Sequence, residues 1–276
     1  MIHSPQTLRD ALRVARQRID SLDAHVLLGD VLDVERAYLL GNPETVLSPD
    51  QAAQFAQWVA RCAAGEPVAY ILGRRAFYDR VFIVTPAVLI PRPETELLLE
   101  RALEWAGDRI LTAVDVGTGS GALAVTLAAK RPKIAVHAVD MSPAALEVAR
   151  QNADAQQARV TFYEGDLLKP LIERGIQPDL IMANLPYIAS DELPDLAVSR
   201  YEPRLALDGG ADGLVLIRRL LAQIPQVVNP PALILLEIGA GQGAATLALV
   251  NQALSPQSAR LILDYAGLDR IIEAEL

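Results

Sequence analysis

The segment Leu111-Thr-Ala-Val-Asp-Val116 is a short apolar, β-branched run that breaks into Gly117-Thr-Gly119-Ser-Gly121 and then into Ala122-Leu-Ala-Val-Thr-Leu-Ala-Ala-Lys130. Strand, glycine turn and helix in that order form the first half of a βαβ unit, and a parallel strand has to follow. Ile134-Ala-Val-His-Ala-Val139 supplies it, with Asp140 at its tip. Glycine lets the backbone turn tightly and approach a ligand with no Cβ in the way, so Gly117, Thr118, Gly119, Ser120 and Gly121 are candidate ligand contacts. An acidic residue about twenty positions past the turn, where Asp140 stands, is placed to bind ribose hydroxyls.

The glycine spacing is G-x-G-x-G and not the G-x-G-x-x-G of dinucleotide folds. Asp115, just before the turn, would repel a pyrophosphate and suits a ligand carrying an ammonium or sulfonium. S-adenosylmethionine is the common nucleoside of that kind. A bare βαβ turn is the plainer alternative, but it gives no reason for acidic residues at the ends of two successive strands. A third strand, Val160-Thr-Phe-Tyr-Glu164, runs into Gly165-Asp166-Leu167-Leu168. Asp166 is placed to accept from an adenine amino group and Leu167 to cover the ring, although alone the segment reads as a turn with an exposed Asp.

A fourth apolar run, Asp179-Leu-Ile-Met-Ala183, ends in Asn184-Leu-Pro-Tyr187. Ligands of open α/β sheets bind at the carboxyl ends of the strands, which is where Asp115, Asp140, Asp166 and Asn184 all fall. The Asn184 side-chain oxygen and the Leu185 carbonyl can each accept from an NH2 group. Pro186 stiffens the turn, and Tyr187 offers a flat face to a planar amide or base. By itself the tetrapeptide is also an ordinary exit from a strand into a loop.

Taken together, the glycine loop, Asp140, Asp166 and the Asn-Leu-Pro-Tyr turn resemble a class I S-adenosylmethionine-dependent methyltransferase acting on nitrogen. Residues 65–99, with Ile90-Pro-Arg-Pro-Glu-Thr-Glu96 as the most specific part, are similar to the signature of the HemK/PrmC family of protein-glutamine methyltransferases. Further matches are Tyr201-Glu-Pro-Arg-Leu-Ala-Leu207, Gly209-Gly210, Asp212-Gly213-Leu214, Leu235-Leu-Glu-Ile-Gly239, Gln242-Gly243, Asp264-Tyr265 and Asp269-Arg270. The resemblance implies a Rossmann-like domain, S-adenosylmethionine as donor, and N5-methylation of the GGQ glutamine of class 1 peptide chain release factors. It also implies that Asn184, Leu185, Pro186 and Tyr187 serve catalysis and substrate binding. Arg92 and Glu96 lie in a stretch that covers the donor site in the family. The family usually carries Asn-Pro-Pro-Tyr. Leu185 departs from that pattern, but the family uses the backbone carbonyl there, which any residue supplies. Adenine methyltransferases of RNA also carry Asn-Leu-Pro-Tyr, and an adenine amino group makes the same hydrogen-bonding demand, so N6-methylation of adenine in RNA or DNA remains the alternative.

Net charge −9 argues against a nucleic-acid partner. No run approaches the roughly 20 apolar residues of a membrane span, and the first residues lack a signal-peptide pattern. A single cysteine, Cys62, and the scattered His3, His25 and His137 offer neither a disulfide framework nor a metal site. The expectation is a cytoplasmic, metal-free monomer. Residues 1–75 read as a helical substrate-recognition domain. Ser4-Pro5, Ser21 and Ser48-Pro49 start helices, Glu35–Leu40 forms a short one, and Leu22, Val26, Leu27 and Val31 make the apolar face of the second. Residues 76–109 read as a β-hairpin and linker helix, and residues 110–276 as the Rossmann-like methyltransferase domain, closing with a helix over Gly243–Leu254 and a hairpin.

Overall fold

The computed structural model describes residues 7–276. The Ser4-Pro5 start signal and His3 lie outside the described residues. The chain divides into two units between Gly73 and Arg74.

The first unit is helical: α1 (Leu8–Ala15), α2 (Ser21–Leu32), α3 (Arg36–Gly41), α4 (Pro49–Ala63) and α5 (Val68–Leu72). Thr7 caps α1 by accepting from the Asp10 N–H. Ser48 and Gln51 form a reciprocal capping box on α4, with Pro49 at the first helical position. The cap of α2 is Asp20, one residue before the expected Ser21. Its buried face is Ala24, His25, Leu27 and Leu28, while Leu22 and Val26 are exposed. Apolar residues surround α2 on most sides, so periodicity alone could not choose its inner face. Packing against α1 and α4 selects the side on which small Ala24 permits close approach. His25 is a packed histidine: Nδ1 lies 2.6 Å from the Ser21 carbonyl and Nε2 3.0 Å from the Arg16 guanidinium. Helix α5 has no signal in the sequence, because five residues give too short a window for a helical period.

The second unit opens with a hairpin, β1 (Arg74–Phe77) and β2 (Arg80–Ile83), followed by α6 (Pro93–Ala106). The chain then alternates through β3 (Thr112–Val116), α7 (Ala122–Lys130), β4 (Ala135–Asp140), α8 (Pro143–Ala155), β5 (Val160–Glu164), α9 (Lys169–Arg174), β6 (Leu180–Ala183), α10 (Val215–Gln223), β7 (Leu233–Glu237) and α11 (Gly243–Leu254). It ends in the hairpin β8 (Ser258–Leu263) and β9 (Asp269–Glu275). The order in the seven-stranded sheet is β5-β4-β3-β6-β7-β9-β8, and only the pairings of β9 are antiparallel.

The sheet is buried on both faces, as a mostly parallel sheet requires. Strand alternation sends Ala113, Leu180, Met182, Leu233 and Leu235 into one core with α6 and α7. Val114, Val116, Ile181, Ala183, Ile234 and Leu236 enter the other core with α10. Phe77 and Phe82 of the hairpin lie fully buried in the first core, edge to face at 6.0 Å. The hairpin and α6, expected as a linker between domains, are therefore part of the larger unit.

A single buried side chain ties the hairpin to the glycine turn. The Asn152 amide accepts from Ile83 N–H at 2.7 Å and donates to the Ile83 and Ser120 carbonyls at 3.0 and 2.9 Å. It completes the open edge of β2 as another strand would. Leaving buried backbone groups unpaired costs about 1–3 kcal/mol each. Asn152→Ala is expected to destabilise the protein by about 3 kcal/mol and to speed proteolysis within residues 74–84. Thermal unfolding and limited proteolysis measure both effects.

Candidate active site

The carboxyl ends of β3, β4, β5 and β6 surround a cavity of about 550 Å³, within the ~300–1,000 Å³ usual for small-molecule sites. Gly117–Ser120, Asp140, Asp166, Leu167, Asn184, Leu185 and Pro186 all contribute to its wall. The structure thus gathers nearly all the residues singled out from the sequence. Tyr187 is outside that wall, with its ring against Gly239. Gly121 sits behind the turn, packed against Ala149 of α8.

The glycine turn is fixed by its own hydrogen bonds. Gly117 and Thr118 N–H both donate to the Val139 carbonyl, and Gly119 N–H donates to the Asp140 carboxylate at 2.9 Å. These N–H groups are committed, unlike those of a phosphate-binding loop, and two carboxylates stand beside them. Gly119 has φ +54°, and a Cβ there would meet no atom within 4 Å. The turn therefore needs a glycine for its conformation and leaves open space at that point of the cavity wall. The surroundings fit an uncharged or cationic nucleoside and not a pyrophosphate.

Each carboxylate has a different role. Asp115, buried, accepts from Thr118 Oγ1 at 2.6 Å and from Ala124 N–H, and so pins the turn onto α7. Burial pushes its pKa up to about 6, against the pull of those two donors. Asp115 thus has a structural task that its position before the turn did not reveal. Asp140 accepts one N–H on each oxygen, from Gly119 and Ser142, with its pKa raised chiefly by burial. A carboxylate has about four acceptor sites, so capacity for hydroxyls remains. Asp166 differs from expectation: its oxygens meet Arg219 of α10 at 2.6–2.7 Å and Lys169 at 2.7 Å. These cations, Lys169 first, hold its pKa below the usual carboxylate range. Arg219 comes from a helix distant in sequence, and no local signal announces it. Leu167 lines the cavity with φ +54°, a left-handed conformation costing roughly 1–3 kcal/mol in a non-glycine residue.

The 184–187 turn is held from three sides. Asn184 Nδ2 donates to Thr95 Oγ1 of α6 at 3.1 Å. Leu185 is buried, its side chain against Gly117. Gln242 donates to the Tyr187 carbonyl and accepts from Gly239 N–H, both at 2.9 Å. A Cβ on Gly213 would come within 2.2 Å of the Tyr187 carbonyl, and one on Gly209 within 2.7 Å of the Pro186 carbonyl. The segments 209–213 and 239–242 are therefore the mould of the turn. Arg92 lines the cavity but is paired with buried Glu202, which also accepts from Ile90 N–H. Glu96 stands away from the cavity and accepts from Tyr78 N–H.

One buried group is marked in the sequence only as part of the Leu235–Gly239 motif, with no sign of its role. Glu237, the last residue of β7, is 1% exposed, and neither carboxylate oxygen has a hydrogen bond of ordinary geometry. Burial raises its pKa from 4.5 to about 7, opposed by nearby Thr95, Arg270 and Asn184 and reinforced by Glu94. Thr95 and Asn184 are thus close enough to favour its charge without closing a normal bond onto it.

Seven strands in this order, with a glycine turn and acidic strand ends around one cavity, define a class I methyltransferase. The fold is shared with the T. thermophilus 16S rRNA N2 G1207 methyltransferase (19% identity, TM-score 0.54, 73% of this chain and 50% of that one). It is shared also with a Pyrococcus furiosus methyltransferase (17% identity, TM-score 0.54, 80% and 98% covered). Residues 6–73 match the PrmC N-terminal domain and residues 93–200 the methyltransferase small domain. Proteins named release factor glutamine methyltransferase are 44% identical in Moorella thermoacetica (96% of both chains covered) and 41% identical in Bacillus subtilis (90% of this chain, 89% of that one). The chain belongs to the release factor glutamine methyltransferase family.

The raised pKa of Glu237 has a consequence for stability. Below its unfolded value of 4.5 the group is protonated in both states and has no effect. Between 4.5 and about 7 only the unfolded chain ionises it, so stability falls with rising pH and then levels off. At ~1.4 kcal/mol per pH unit, the loss amounts to about 3 kcal/mol. Glu237→Gln is expected to flatten the decline in unfolding free energy between about pH 5 and pH 8, as followed by denaturant titration.

Proposed function

We propose that this chain transfers a methyl group from S-adenosylmethionine to the side-chain nitrogen of a glutamine in class 1 peptide chain release factors. The observation that carries the reading is Asn184 on the cavity wall. Its NH2 is engaged by Thr95, so its oxygen remains to accept from a substrate amide. Family membership supplies the release factor.

Asp140 would hold the ribose of the donor, with Asp166 and Leu167 at its adenine and Gly117–Ser120 along its side. When bound, the sulfonium supplies a methyl group already activated for transfer. What remains for this chain is to prepare the acceptor. An amide nitrogen is a poor nucleophile because its lone pair is delocalised into the carbonyl. The Asn184 oxygen and the Leu185 carbonyl accept from its two hydrogens, drawing the nitrogen toward a tetrahedral shape and freeing that pair. Pro186 fixes the direction of the turn. Tyr187, whose ring lies against Gly239 outside the cavity wall, is assigned the plane of the amide. Positioning of this kind is worth roughly 7–11 kcal/mol of a barrier. The helical unit is assigned recognition of the release factor, supported by the exposed Leu22, Val26, Tyr38 and Leu40 on its surface. A cytoplasmic monomer is the form this reading assumes.

The test uses labelled donor with a release factor, its Gln→Ala variant at the GGQ motif, ribosomal RNA and DNA in separate reactions. Label is expected in the intact release factor alone; label in RNA or DNA with none in the release factor overturns the assignment. Asn184→Ala is expected to lower transfer by at least about 10²-fold while donor binding, followed by calorimetry, stays within a few-fold. Retained activity would remove Asn184 from its role as acceptor for the substrate amide.

A further inference from the structure

We propose that Glu237 is a positioning residue, which through Thr95 fixes the direction in which the Asn184 amide faces and does so in its ionised form. The inference rests on the reading of Asn184 as the acceptor for the substrate amide.

Glu237 ends β7 beside the end of β6, since Leu236 pairs with Ala183 and the next residues are Glu237 and Asn184. Thr95, itself 5% exposed, lies close to both. A hydroxyl has one proton to give. Thr95 Oγ1 already accepts from Asn184 Nδ2, so its proton is free to go elsewhere. The buried acceptor at hand is Glu237, whose two oxygens have no hydrogen bond of ordinary geometry among the described residues and have Thr95 and Asn184 as their polar neighbours. An ionised carboxylate can only accept. The Asn184 NH2 donates to the Thr95 oxygen, and in the proposed arrangement the remaining Thr95 proton is directed toward Glu237. Reversing the Asn184 amide would set its oxygen against the Thr95 oxygen or the carboxylate. The buried charge thus keeps the Asn184 NH2 inward and leaves its oxygen for the acceptor nitrogen.

Protonation removes that constraint. A neutral Glu237 can donate to Thr95, whose own proton can then turn toward the Asn184 oxygen. The charged groups facing Glu237 are Arg270, which favours the ionised form and is itself held by Asp264 at 3.0 Å, and Glu94, which opposes it. Tyr187 is a further titratable neighbour, and burial together with the Glu237 charge raises its pKa, which keeps it neutral. With the Glu237 carboxyl titrating at about 7, its ionised fraction changes across the neutral range.

The experiment measures kcat, the KM for release factor and the donor Kd from about pH 6 to pH 8.5 for the wild-type chain and for Glu237→Gln, Thr95→Val, Thr95→Ser and Asn184→Ala. The expected wild-type kcat rises with pH through about 7. Glu237→Gln, whose amide can donate as well as accept, is expected to lose that rise and to lower kcat roughly tenfold or more. KM and donor Kd should change little. Thr95→Val should lower kcat similarly, and Thr95→Ser, which keeps the hydroxyl, should restore it. Glu237→Gln with the wild-type kcat and pH profile, beside an inactive Asn184→Ala, overturns this inference alone. An active Asn184→Ala overturns the underlying reading along with it. Should Glu237→Gln not fold, equal kcat in Thr95→Val and Thr95→Ser overturns the inference by itself.

Discussion

Across three neighbouring parallel strands, Val116 pairs with Ala183 and Ala183 with Leu236. The site depends on that register. The three paired residues point into the core shared with α10, so by strand alternation the next residue on each turns to the opposite face. Those residues are Gly117, Asn184 and Glu237, and the face they turn to is the one covered by α6 and α7. The glycine turn, the amide and the buried carboxylate therefore emerge side by side, and Thr95 in the first turn of α6 meets them. A slip of one residue in β6 would send Asn184 into the α10 side and exchange the side chains that β6 gives to the two cores. The Leu180–Ala183 and Leu233–Leu236 runs are apolar and buried on both faces, so hydrophobic pattern alone does not set that register; the size of the side chains in each core and the polar residues at the strand ends do.

The same edge collects negative charge, and each carboxylate there is neutralised differently. Asp115 is satisfied by the turn it pins, Asp140 by two backbone N–H groups, and Asp166 by Arg219 and Lys169. Glu237 alone among them is buried without a hydrogen bond of ordinary geometry. A buried carboxylate that lowers stability is normally replaced unless it has work to do. Its neighbours, Thr95 and Asn184, are the reason to place that work at the acceptor end of the cavity.

Much of this could be read from the chain. The glycine turn, the strand-end Asp140 and the 184–187 exit have local signals, and α11 runs over the expected Gly243–Leu254. What escaped has partners far away in sequence. Asn152 reads as an ordinary polar residue in α8, yet it closes the edge of β2 some 69 positions earlier. Glu202 appears in the sequence only as part of a motif, and its purpose is the lock on Arg92 and Ile90, 110 and 112 positions back. Gly213 matches the family pattern without a visible reason, which is the Tyr187 carbonyl pressed against it. The inner face of α2 and the short α5 are hidden for another cause: periodicity is uninformative when a helix carries apolar residues on most sides or is five residues long.

The mould around the turn also accounts for Leu185. A proline there would fix φ by its ring, and this chain lacks that device. The constraint is instead distributed over neighbours. Pro186 biases the residue before it toward extended backbone. Gly209 and Gly213 let the Pro186 and Tyr187 carbonyls pack where a Cβ would otherwise stand, and Gln242 holds the Tyr187 carbonyl in that place. The Leu185 side chain fills the space against Gly117 that a smaller ring would fill less completely, joining the 184–187 turn to the glycine turn through apolar contact. The carbonyl that the proposed chemistry needs is thus oriented by packing from outside the tetrapeptide, and a non-proline residue at this position is compatible with the same geometry.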